Sequence, residues 1–97
     1  MIQQTFAVSV AMPRRTKSDV FFSLVEEVGE LATELAVDSG HSKKPEGKDG
    51  ITGEAVDVII CALDLIWVHN HSTTEEELEK YLNEIVKTKL AKWRAKI

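Results

Sequence analysis

The chain has 97 residues, a net charge of −4 and a single cysteine, Cys61. That length makes one domain with a modest core, burying only about 65% of its unfolded surface. The acidic balance argues against a nucleic-acid polymer as the main ligand, and a lone cysteine excludes an internal disulfide and fits a reducing compartment.

Residues 1–16 read as an N-terminal arm. Phe6, Val8 and Val10 give the run FAVSV some strand character. It is open to three readings: a short strand, an arm across a partner subunit, or a frayed end. Residues 6–12 are mildly apolar, but Arg14 and Arg15 follow them rather than precede them. That is the wrong charge order for a signal peptide, and the run is too short to cross a membrane. A soluble cytoplasmic protein without membrane contact is the expectation.

Ser18 or Asp19 can cap a helix over residues 18–38. Its apolar band is centred on Leu24, Val28, Leu31 and Leu35, widened by Phe21, Val25, Ala32 and Ala36. Glu27, Glu30 and Glu34 form a column along one edge of that band, whereas Glu26 points away and is expected in solvent. The stretch SGHSKKPEGKDG reads as a loop, with Gly40 suited to the helix C-terminus. Its lysines, Lys43, Lys44 and Lys48, can either close over an anionic ligand or remain solvated.

Asp49 or Thr52 can cap the second helix, over residues 51–69. Wound at about 100° per residue, it places Glu54, Asp57, Cys61 and Asp64 in one stripe roughly 80° wide. Nearly everything else on it is apolar, so it is expected to be buried nearly all round. Carboxylates in such a helix need compensation for their charge. Two or three partner helices cover this apolar surface poorly, which favours an oligomer. His69 and His71 sit past the helix end with no acid at ligand spacing and read as an exposed terminus.

Thr73 with Glu76, or Thr74 with Glu77, has capping-box spacing ahead of a third helix over residues 75–94. Its core face is Leu78, Leu82, Ile85 and Trp93, flanked by Tyr81 and Val86. Lys89 and Lys92 fall on this same face. The fold expected is therefore all-α, an antiparallel helical bundle completed by homo-oligomerisation.

The two acidic helices carry the chemistry. Glu27 and Glu30 are three apart on one, Glu54 and Asp57 three apart on the other, and residues so spaced are neighbours on a helix surface. Side-by-side packing would converge four carboxylates, a hard oxygen set suited to Mg²⁺, with Mn²⁺ able to substitute. Gly29, inside the first pair, costs the helix about 1 kcal/mol relative to Ala, which a close approach of backbone or ligand would justify.

ExxE, a spacer of 23 residues, then ExxD, with the flanking runs EEVGELATEL and GEAVDVIICALDL, resembles the MazG-like family of all-α nucleoside triphosphate pyrophosphohydrolases. The resemblance spans about Phe21 to Trp93. It implies a helical homodimer or homotetramer and Mg²⁺-dependent cleavage of a nucleoside triphosphate to the monophosphate and pyrophosphate. By position, it makes Glu27, Glu30, Glu54 and Asp57 the metal ligands and catalytic residues, with Glu27 or Glu30 as the general base. Lys89 and Lys92 are placed to meet the triphosphate. Asp64, like Glu34, extends an acidic column; Asp64 is counted with the lysines as a candidate substrate contact. The C-terminal KTKLAKWRAKI lacks the asparagine that follows the lysine in many relatives. The rival reading is a non-catalytic helical oligomer that binds metal or nucleotide and regulates a partner.

Overall fold

The structure, a computed structural model, describes residues 1–45, 47 and 49–97; Lys48 of the loop lysines lies outside them. The described residues form four helices and no strand: α1 Ile2–Ala11, α2 Lys17–Asp38, α3 Gly50–His69 and α4 Glu75–Arg94. No helix among them is long and apolar enough to cross a membrane.

The arm is thus largely a helix, and FAVSV is not a strand. Ile2, Phe6 and Ser9 recur at helical spacing. Phe6 is fully buried and Ser9 nearly so, while Val8 and Val10 stay exposed. Burying Phe6 between α3 and α4 outweighs the weak strand preference of the valines. Pro13 then ends the helix, because it disfavours helical backbone at the residue before it; Met12 is extended.

Capping chemistry fixes the other ends. Thr16, not Ser18 or Asp19, caps α2: its hydroxyl accepts from the Asp19 N–H at 3.1 Å, and Asp19 accepts from the Thr16 N–H in return. At the far end Gly40 has φ +78, and the Gly40 and His41 N–H groups bond back to Val37 and Ala36. That is a Schellman closure, for which glycine is the least strained residue. Asp49 occupies the cap position of α3 without a side-chain cap bond. Thr74 caps α4 through the Glu77 N–H at 3.1 Å.

The helices α2 and α3 pack side by side and antiparallel. Four contacts set the register: Lys17 lies beside His69, Arg15 binds Asp64, Glu30 meets Glu54, and Glu34 binds Gly47. Positions descend on one strand of this hairpin as they ascend on the other. α1 lies against α3 and also carries α4. Phe6, Leu63 and Leu78 form the central cluster, with Ile2, Ile66, Trp67 and Leu82 around it, and the Phe6 and Trp67 rings lie 5.5 Å apart.

The resulting body is a slab, 46 × 41 × 21 Å. Its radius of gyration is 15.8 Å, against about 13 Å for a compact domain of similar length. Among the described residues the buried apolar side chains are Phe6, Val20, Leu63 and Leu78 alone. The all-round burial expected of α3 is not met within one chain: Val56, Ile59 and Ile60 are exposed. So are Phe21, Val25, Val28 and Leu35 on α2, and Tyr81, Val86, Leu90 and Trp93 on α4. The apolar stripes exist as read, but with α4 held on α1 there is no helix left to cover them.

Gly29 departs from its expected role as well. No protein atom among the described residues lies within 4 Å of where its Cβ would be. Gly29→Ala should therefore gain the helix propensity difference, about 1 kcal/mol, and raise Tm by roughly 5 °C in a chain of this size. Thermal unfolding of the purified variant checks this; a lower Tm would mean that something beyond the single chain occupies that face.

Candidate metal centre

The antiparallel register places the α2 column Glu27, Glu30, Glu34 alongside the α3 stripe Glu54, Asp57, Cys61, Asp64. Glu27, Glu30 and Glu54 each present a carboxylate oxygen within 4.8 Å of the others. Asp57 falls outside that set. An aspartate is one methylene shorter than a glutamate, and Asp57 acts on Glu27 and Glu54 at longer range through its charge. The convergence is thus three carboxylates with a fourth beside them. Glu26, as expected from its angle, is exposed.

Burial and repulsion act together on these acids. Glu27 and Glu54 are half-buried, and Oε2 of each is shut off from solvent with no hydrogen-bond partner among the described residues. Burial raises the pKa of Glu27, and the charges of Glu30 and Asp57, a hydrogen bond with Glu30 and the charge of Glu26 raise it further. Glu54 is raised by burial first, then by Glu30, Asp57 and Glu27. No lysine or arginine among the described residues forms an ion pair with the trio. Orphaned, crowded carboxylate oxygens without a protein counter-charge are the donor set that a hard divalent cation fits. The residues present suit Mg²⁺ or Mn²⁺ better than a softer ion, since no imidazole or free thiolate joins them. Burial, followed by Glu27, Asp64 and Asp57, pushes the Cys61 thiol upward, which keeps it protonated and a poor ligand.

The columns continue beyond the trio into structural work. Glu34 is buried, 8% exposed, and its Oε1 accepts the Gly47 N–H at 2.8 Å. It anchors the returning α2–α3 connection one turn from Glu30. A Cβ on Gly47 would overlap Glu34 Oε1, so any larger residue there would have to push the Glu34 carboxylate aside. Asp64 is already engaged within the chain. Arg15 grips it with both terminal nitrogens, Nη2 to Oδ1 at 2.8 Å and Nη1 to Oδ2. Sequence reasoning gave Arg15 and Gly47 no place at the site. The available signal for Arg15 was its place just before a helix whose antiparallel partner carries an acid, Asp64, near its C-terminal end.

The candidate cations stand apart. Lys89 and Lys92 are exposed on the second half of α4, and α4 packs chiefly on α1 rather than on the α2–α3 hairpin. Lys43 and Lys44 are exposed in the connecting loop. His69 ends α3, and Asn70 closes that end by donating its Nδ2–H to the Ile66 carbonyl at 2.8 Å.

No family model, no curated protein and no solved structure matches the chain. Its fold and site define an all-helical protein with a carboxylate-only candidate centre for a hard divalent cation, built on one antiparallel helix pair.

Proposed function

We propose that this chain is a Mg²⁺-dependent nucleoside triphosphate pyrophosphohydrolase, similar to the MazG-like family, that cleaves a ribo- or deoxyribonucleoside triphosphate to the monophosphate and pyrophosphate. Its task would be clearing surplus or noncanonical nucleotides in the cytoplasm. The observation that carries the reading is the trio Glu27, Glu30 and Glu54, with two buried oxygens lacking a partner among the described residues. The ExxE and ExxD spacing supports it independently.

Glu27, Glu30 and Glu54 would hold the ion, with Asp57 adding negative charge beside it. When bound, Mg²⁺ supplies charge neutralisation for the phosphate oxygens and a more acidic water. Glu27 or Glu30 would be the general base that accepts a proton from the attacking water. Lys89 and Lys92 serve the triphosphate once a second subunit brings an α4 to the hairpin. The exposed apolar stripes of α2, α3 and α4 supply the surface for a homodimer or homotetramer.

The test is product chromatography after incubation with each common nucleoside triphosphate, with and without Mg²⁺. Monophosphate and pyrophosphate, formed only with metal, is the expected result. Diphosphate and orthophosphate would keep the metal centre and replace the bond assignment. Metal binding without turnover of any substrate would favour the non-catalytic regulatory oligomer.

A further inference from the structure

The α1–α2 connection and the C-terminal end of α3 enclose a cleft of about 730 Å³. It is cationic in a chain whose net charge is −4. Arg14, Arg15, Lys17, His69 and His71 line it, against a single acid, Asp19. Two of these charges are already used: Arg15 by Asp64, and Asp19 by the Thr16 N–H. Arg14 and Lys17 have no carboxylate within ion-pair distance among the described residues. Lys17 Nζ instead donates to His69 Nδ1 at 3.4 Å, which uses one of its three N–H groups and leaves two for an anion.

The backbone reinforces the sign. α2 begins at Lys17, and its N-terminal dipole adds partial positive charge to the same wall. Three of the opposing C-terminal carbonyls of α3 are taken up: Ile66 by the Asn70 N–H and Nδ2–H, Trp67 by the Asn70 N–H, and Val68 by the His71 ring. Val10, Pro13 and Trp67 give the cleft an apolar side. A volume within the usual range for small-molecule sites, lined by both cations and an aromatic, suits a phosphorylated ligand. His69 lies fifteen residues along α3 from Glu54, about 22 Å, so the acidic centre and this cleft are separate.

We propose that this cleft is a second, metal-independent binding site for phosphate anions, in which Arg14, Lys17 and His69 hold the phosphoryl groups. Its ligand is either free pyrophosphate or the phosphate chain of a nucleotide whose base lies on the Trp67 side.

Calorimetric titration of the full chain in EDTA, at low salt, tests this with pyrophosphate and adenosine triphosphate as probes. The expected Kd is on the order of 0.1 mM for at least one probe, weakening steeply with added salt. The double variant Arg14→Gln/Lys17→Gln should lose at least about tenfold in affinity. Both residues are exposed, so the fold tolerates the change. Glu54→Gln should bind as well as the parent. Equal affinities would identify pyrophosphate recognition; tighter nucleotide binding, with a shift of the Trp67 indole N–H in NMR spectra, would identify a nucleotide. No binding of either probe at about 1 mM, or binding unchanged in the double variant, overturns the proposal. Binding lost in Glu54→Gln overturns it too, by assigning the anion to the acidic centre.

Discussion

Glu54→Gln is expected to lower Mg²⁺-dependent turnover by at least about 100-fold and, in the same protein, to raise the Tm measured without metal. The first effect follows from losing a direct ligand, since disturbing even the groups that orient metal ligands commonly costs 10- to roughly 100-fold. The second follows from geometry. Glu54 sits against Glu27 and Glu30, with Asp57 near, and its buried Oε2 has no partner among the described residues. An amide of the same shape removes one charge from that crowd. A ligand role thus predicts opposite signs for activity and metal-free stability, whereas an ordinary surface glutamate predicts almost no change in either.

The pH dependence has a definite direction. Burial and then neighbouring acids raise Glu27 and Glu54 above the usual 4.5. The folded chain therefore binds these protons more tightly than the unfolded chain. That contribution to stability is fully present below about pH 4.5 and is lost as pH rises through the raised values. Mg²⁺ needs the deprotonated acids, so its stabilisation should grow over the same interval. At neutral pH, with Mg²⁺ about 100-fold above its Kd, the expected shift is on the order of 10 °C in Tm. Differential scanning fluorimetry across pH, with Mg²⁺ and with EDTA, reads both trends. A Mg²⁺ response equal at acid and neutral pH, or one retained in Glu54→Gln, would remove the trio as the metal site.

The local parts of this molecule were legible because they depend on neighbours in sequence. Helical angle alone separates exposed Glu26 from half-buried Glu27, and the first glycine after Asp38 marks a left-handed helix end that is present at Gly40. FAVSV was ambiguous for a physical reason: five residues fit either period, and the arbiter is the pocket for Phe6 made by Leu63 and Leu78, which lie far along the chain. Asp57 illustrates the limit of spacing arguments. A motif puts a residue on a face, but whether its oxygen joins the others depends on side-chain length and interhelix distance. The apolar faces of α3 and α4 were readable as faces, but hydrophobicity does not say what covers them.

Arg15→Ala should destabilise the chain by about 2 kcal/mol, lowering Tm by on the order of 10 °C, with Asp64→Ala doing nearly the same. The pair is a two-pronged contact with side chains only 26% and 17% exposed, well short of full solvent screening and short of a fully buried pair, for which 3 to about 5 kcal/mol would be expected. Removing Arg15 leaves Asp64 unpaired on a stripe that already holds Glu54 and Asp57, with Glu27 and Glu30 alongside on α2. Removing both together takes away the stranded charge, so the double variant should be closer to the parent than the summed single losses predict. A double-mutant cycle by thermal or urea unfolding measures that coupling. Simple additivity would mean that the contact contributes nothing. Kinetics then separates two roles for Asp64. If it acts by holding the α1–α2 connection onto α3, both single variants lose stability while KM stays unchanged at temperatures where they remain folded. If Asp64 itself meets the substrate, Asp64→Ala raises KM, and Arg15→Ala, which frees its carboxylate, does not.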